Sequence, residues 1–170
     1  LHTYADILVR LWAPILAHTA EEINDILQLD EESIHLADFE PVKLDVDEEQ
    51  ILADMKQLLA VRKDVLKALE EKRAAGDIKK SLEAAVKLHV DPETKALFDK
   101  YIPKPAQWLI VSDAQFTDDE LPQYEASQVL VEKAPGHACP RCWNFTTAEH
   151  EDGLCDRCAA IVAEETEQAA

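Results

Sequence analysis

Cys139-Pro140-Arg141-Cys142, then twelve residues, then Cys155-Asp156-Arg157-Cys158 is the stretch that decides how this chain is read. All four cysteines of the 170 residues lie in it. Two C-x2-C turns this close together bring four soft sulfur ligands to one tetrahedral point, the arrangement Zn²⁺ takes in a closed structural site. Two disulfides or an iron–thiolate centre are the alternatives. The sequence shows no secretory pattern and no cysteine outside the cluster, so a metal site in a reducing, cytoplasmic setting is expected. The expected ligands of one structural zinc are Cys139, Cys142, Cys155 and Cys158. His137 and His150 flank them, but four cysteines already fill a tetrahedron. From about Ala134 to Val162 too few apolar residues exist for an independent core, so metal binding should supply most of the folding free energy there.

Working outward, Pro135-Gly136 marks a turn into the metal module, and a small mixed fold precedes it. Asp47 to Ala75 reads as the best helix. Asp47 with Gln50 fits a capping box, Glu48 and Glu49 lie near the positive helix end, and Gly76 closes it. Ile51, Leu52, Met55, Leu58, Leu59, Val65, Leu66 and Leu69 form its apolar stripe, with Arg62 in the middle. That position calls for an ion pair with a nearby carboxylate or for an interface with phosphate. Ala84 to Val90 alternates like a half-buried strand, and Asp91-Pro92 starts a helix running to about Tyr101. Trp108–Ser112 and Gln128–Glu132 read as two further strands. Residues 2–28 read as helix in two pieces broken near Pro14, followed by a connector over 29–46 with a short extended piece at Ile34–Phe39. The expected fold is α+β in several parts: a helical-bundle segment with its connector (1–46), a long helix with a small three-stranded α+β subdomain (47–133), a four-cysteine zinc module (134–163) and an acidic tail (164–170).

The formal net charge is −18, which argues against a general nucleic-acid binder because phosphate contact needs local positive charge. The charge is uneven, however. Residues 56–80 hold eight Lys/Arg against four acids, a local net of +4. No run of about 18 apolar residues exists, so no membrane span is expected. The chain starts inside a periodic apolar pattern without Met and is read as a piece of a longer protein.

At this point the residues become specific. Cys139-Pro140-Arg141-Cys142-Trp143-Asn144-Phe145, completed by Leu154-Cys155-Asp156-Arg157-Cys158, resembles the C-terminal zinc module of bacterial isoleucyl-tRNA synthetases. Pro14 to Ile23 looks like a helix of the anticodon-binding bundle of class I synthetases, and Ser33 to Phe39 is similar to the connector after it. Val61-Arg62, Ala68-Leu69-Glu70 and Ile78 to Ala84 look like the family's junction helix and following strand. Asn24, where the family often has Trp, and Lys79, where it often has Gly, depart from the pattern. The resemblance implies that the parent is an ATP-dependent isoleucine–tRNA ligase. Its catalytic His-Ile-Gly-His and Lys-Met-Ser-Lys-Ser signatures are not in this sequence, so no catalytic or nucleotide-binding residue is expected here.

The function expected on this basis is noncatalytic: to hold the anticodon end of isoleucine tRNA for the rest of the parent chain. Candidate contacts are Arg141 and Arg157 inside the two cysteine turns, Trp143 beside the first, Lys79 and Lys80 after the long helix, and Arg62. Each has a second reading. Trp143 either stacks on an unstacked base or packs the metal turn onto the α+β unit. Arg141 and Arg157 either contact phosphate or neutralise four thiolates around Zn²⁺. Lys79 and Lys80 are otherwise a solvated helix end. The competing function is an acidic, zinc-stabilised protein-interaction module without a nucleic-acid role.

Overall fold

The computed structural model describes residues 2–29, 32–39 and 46–168. The chain divides into two compact units, residues 1–46 and residues 47–170.

In the first unit, α1 (His2–Trp12) and α2 (Ala17–Leu27) are separated by a turn containing Pro14, which has no amide hydrogen to continue a helix. Val9, Ala13, Ala20 and Ile34 are buried together. Residues Ile34–Leu36 form a 3-10 turn rather than the extended piece expected there. The reason is local. The Ser33 hydroxyl accepts from the His35 amide while donating to the Glu21 carboxylate, which also accepts the Ile34 amide, so the chain is curled back onto α2. The part of the connector around Pro41 lies outside the described residues.

The second unit is built on α3 (Glu48–Ala75). The Asp47 carboxylate accepts the Gln50 amide at 3.0 Å. Gly76, at φ 85°, ends the helix with its own amide and that of Asp77 folded back on Arg73 and Lys72 carbonyls, a left-handed closure that glycine adopts without a Cβ penalty. The apolar face differs in part from the expected stripe. Leu58, Val61, Val65, Ala68 and Leu69 are buried, whereas Leu52, Leu59 and Leu66 are exposed at seven-residue intervals on another face.

Three strands form the sheet: β1 (Ala84–His89), β2 (Asp113–Phe116) and β3 (Gln128–Lys133). β1 is central, parallel to β2 and antiparallel to β3. Parallel pairing requires a crossover. It is supplied by α4 (Pro92–Tyr101), capped by Asp91 with Pro92 in its first turn, and α5 (Pro105–Leu109). The strand expected at Trp108–Ser112 is therefore not a strand. Pro105 starts a short helix, Leu109 is buried at its end, and Ile110 takes a left-handed conformation at φ 60° that turns the chain into β2. Val86, Leu88, Val129 and Val131 of the sheet pack with the inner face of α3, and Phe98 sits edge-on to Trp108 and Phe116 at the centre.

Beyond β3, a short hairpin of β4 (His137–Ala138) and β5 (Phe145–Thr146) leads to α6 (Asp156–Gln168), which continues into the acidic tail. Among the described residues no helix is long and apolar enough to cross a membrane.

Candidate metal centre and nucleic-acid interface

The first cysteine pair lies in the loop of the β4–β5 hairpin. The Cys139 amide donates to the Asn144 carbonyl at 2.9 Å, and the Trp143 amide returns to the Cys139 carbonyl at 2.8 Å. This closes a tight turn that leaves Trp143 left-handed at φ 63°. Cys155 immediately precedes α6 and Cys158 lies in its first turn, which the Ala159 amide closes on the Cys155 carbonyl. His137 meets the Gly153 carbonyl at 3.0 Å and so ties the hairpin to the second pair. His150 is engaged with Asp156 at 2.8 Å. Neither imidazole is directed at the sulfurs.

All four Sγ atoms lie within 4.8 Å of one another, and those of Cys142 and Cys155 are 3.7 Å apart. A disulfide needs about 2.05 Å. A Zn–S bond of about 2.3 Å gives a tetrahedron edge of about 3.8 Å. The four cysteines are free thiols, spaced for a shared cation. Their protonation is in mutual conflict. Burial pushes the Cys139 thiol up, but backbone hydrogen bonds from Cys142, Cys155 and Arg141 outweigh it and bring it down to about 6. Burial pushes Cys158 up to about 12, and its hydrogen bonds with Cys155, Cys142 and Cys139 add to the rise. Four thiolates at this spacing cannot all ionise unaided. A divalent cation at their centre removes the conflict, so the donor set fits a metal ion.

The candidate nucleic-acid residues fall in three places. Trp143 is 69% exposed, so its indole does not pack the metal turn onto the sheet. That joint is made by Phe145, whose amide donates to the Ser112 hydroxyl at 2.7 Å. Arg141 pairs with Glu165 of α6 at 3.2 Å. Interaction with the Cys158 sulfur, and the charge of Cys158 and Cys142, pushes the Arg157 guanidinium pKa up. Lys79 and Lys80 are exposed, without an ion pair among the described residues. Arg62 makes no ion pair among the described residues, so the carboxylate partner expected of it is not found. Its guanidinium lies over the Trp108 ring at 5.5 Å, with its Nε buried and without a partner among the described residues. The neighbouring carboxylates of α3 are used elsewhere, so a cation–π contact takes the place of the salt bridge.

A family model described as the anticodon-binding domain of tRNA ligase matches residues 1–88. The chain belongs to this family. Relatives extend the match beyond residue 88. The isoleucine–tRNA ligase of Lactobacillus johnsonii is 44% identical over 165 residues, those of Enterococcus faecalis 39% over 165 and Bacillus cereus 38% over 170. Each alignment covers 92% of this chain and 18% of the relative. The chain thus spans about a fifth of the length of the curated relatives it matches.

Two functional-looking carboxylates in this anticodon-binding-family chain were not singled out from sequence, and both are structural. Asp54 accepts from Gln50, Lys100 and Tyr101, the last at 2.7 Å, and so joins α3 to α4. The Tyr101 hydroxyl is the main influence holding the Asp54 pKa below the usual carboxylate value. Asp64 accepts the Ala126 amide at 2.7 Å and the Ser127 hydroxyl at 2.9 Å, fastening the 117–127 loop to α3. Their positions on the buried face of a helix were the available signal: a buried carboxylate requires hydrogen-bond partners.

Proposed function

We propose that this chain is the noncatalytic, tRNA-binding C-terminal region of an isoleucine–tRNA ligase, and that it positions the anticodon end of the tRNA while the rest of that ligase attaches isoleucine. The observation that carries the reading is the joint one: an anticodon-binding match over residues 1–88, and isoleucine–tRNA ligase relatives aligned over 92% of the chain. Catalysis belongs to the rest of the parent, a cytoplasmic ATP-dependent class I enzyme, and this region is inactive alone.

Zinc is the metal the site would take. Cys139, Cys142, Cys155 and Cys158 would hold it. Bound there, Zn²⁺ acts structurally, joining the hairpin to α6 where, among the described residues, the buried apolar contribution beyond the cysteines is Leu154 with Ala159 and Val162 against it. The protein's own part is to present Trp143. The left-handed turn holds a large aromatic surface in solvent, where base stacking is worth roughly 1–3 kcal/mol. Lys79 and Lys80 are free to meet phosphate, while Arg141 and Arg157 must exchange existing partners to do so.

One observation favours the competing reading of a protein-interaction module: the exposed row of Leu52, Leu59 and Leu66 on α3. Salt dependence separates the two. Binding of an isoleucine-anticodon stem–loop RNA to the zinc-loaded chain is expected to weaken with salt, with a log–log slope of about −2 or steeper, since each phosphate contact to single-stranded RNA contributes about −0.7. Absence of binding, or a slope near zero, contradicts the RNA role.

A further inference from the structure

We infer that the outward face of α3, with the pocket beside Met55 and Trp108, is a docking surface for an acidic amphipathic helix from the part of the parent ligase outside residues 1–170. The inference rests on the reading of this chain as one region of a larger ligase. It assigns the exposed leucines of α3 to the ligase's own packing instead of to a foreign partner.

Leu52, Leu59 and Leu66 are 61%, 49% and 45% exposed. At 3.6 residues per turn they fall within about 40° of one another, a single row along the 28-residue helix. Met55 borders this row, and with Trp108, Tyr101, Ile102 and Pro103 it lines a pocket of about 380 Å³. A leucine row at seven-residue spacing offers a second helix a seam to lie along, and the pocket beside it offers a hole for one large apolar anchor. Contiguous exposed apolar surface of this kind marks an interface.

Charge selects the occupant. Lys56 and Arg62 flank the middle of the row and Lys104 stands at the pocket, all without an ion pair among the described residues. Arg62 meets the Trp108 ring, with its Nε buried and without a partner among those residues. In a chain with 35 acids against 17 bases, unpaired cations gathered around apolar surface call for carboxylates on the partner. A second copy of α3 does not supply them. Stacking all three leucines antiparallel about Leu59 sets Lys56 against Arg62 and Glu48 against Glu70, and parallel stacking sets every charge against itself. Both arrangements oppose like charges. The rest of the ligase is the source with most chain to offer, because this chain spans 18% of the length of the relatives it matches. A helix tethered in the same polypeptide also meets the face at high effective concentration.

The test compares the zinc-loaded isolated chain with a full-length ligase carrying this region, by hydroxyl-radical footprinting without RNA. Oxidation of Leu52, Met55, Leu59 and Leu66 is expected to fall about fivefold or more in the full-length protein, because a packed interface excludes water. Trp143 should keep its reactivity. A carbodiimide, which condenses a lysine amine with a carboxylate into an amide, should join Lys56 or Lys104 to an aspartate or glutamate outside residues 1–170. The variant Leu52→Gln/Leu59→Gln/Leu66→Gln changes only exposed side chains. In the isolated chain it should leave the unfolding midpoint and the stem–loop RNA affinity unchanged. In the full-length ligase it should return Met55 oxidation to the isolated-chain level. Equal reactivity of the unsubstituted face in the two proteins overturns the docking assignment. So does coupling of Lys56 and Lys104 only within residues 1–170 or between two copies. Loss of RNA affinity in the isolated variant also overturns it, by making the face part of the RNA site. An unsubstituted chain that binds no stem–loop RNA overturns the RNA role, while the footprint decides the docking separately.

Discussion

Gly76 and Gly136 have nearly the same backbone conformation, φ 85° and 86°, in opposite surroundings, and substituting each with alanine separates backbone strain from steric blockage. At Gly76 an added Cβ meets nothing within 4 Å. Gly76→Ala should therefore cost only the left-handed penalty, about 1–2 kcal/mol, expressed at the C-terminal end of α3. At Gly136 the Cβ would lie 2.0 Å from the Thr146 carbonyl oxygen, where ordinary contact begins at 3.4 Å. That oxygen is main chain in β5, paired to β4 through His137 and Thr146, and cannot rotate away as a side chain would. The hairpin carrying Cys139 and Cys142 has to open by about 1 Å or more. The left-handed penalty and the broken pairing together give at least about 3 kcal/mol, or roughly a hundredfold loss of zinc affinity because metal binding and module folding are linked. The assay is competitive zinc titration, with urea unfolding of the α+β unit measured alongside. Gly136→Ala should lose zinc affinity with little change in the main transition, and Gly76→Ala should do the reverse. Equal effects on zinc from the two variants, or none from Gly136→Ala, would refute the steric argument.

Four further outcomes are expected. Chelation of the metal should unfold residues from about 134 onward while the sheet persists, seen as loss of amide protection confined to β4, β5 and α6. Cobalt restored to the site should show the colour of tetrahedral thiolate coordination, and an octahedral spectrum would contradict four-cysteine ligation. Asp54, whose pKa is lowered in the folded state, contributes stability that is complete above its ordinary value of 3.8 and is lost as pH falls below it. Asp54→Asn should therefore be less stable at neutral pH and converge with the parent in acid, and parallel pH profiles would exclude this role. Asp64→Ala leaves the Ala126 amide and the buried Ser127 hydroxyl without their acceptor. It should cost about 2 kcal/mol, with faster exchange of the Ala126 amide as the check.

Local signals made much of the fold legible. Asp47 and Gly76 bracket α3, Asp91-Pro92 starts α4, and the alternation in β1 reads directly as a strand. Trp108 to Ser112 failed for a definable reason. A short apolar run carries no period that distinguishes buried helix from buried strand. The deciding feature, Ile110 in a conformation normally reserved for glycine, has no signature in composition. The true edge strand, Asp113–Phe116, is half exposed and too polar to stand out. Leu52, Leu59 and Leu66 satisfied helical spacing but belong to a second face, and periodicity alone does not say which of two faces is covered.

The candidate site was legible unevenly for the same reason. Cysteine spacing is a geometric statement, and the sulfurs converge as it requires. Arg62 was visible as an anomaly in an apolar stripe, but its partner Trp108 is a tertiary contact that no local rule supplies.

The most direct measurement of the central claim is isoleucine transfer to tRNA by a full-length ligase carrying this region, compared with the same protein ended before Pro135. Isoleucine activation serves as the internal control. The account predicts that transfer falls by at least about a hundredfold through weakened tRNA binding, while activation is retained. Unchanged transfer in the truncated protein would contradict it.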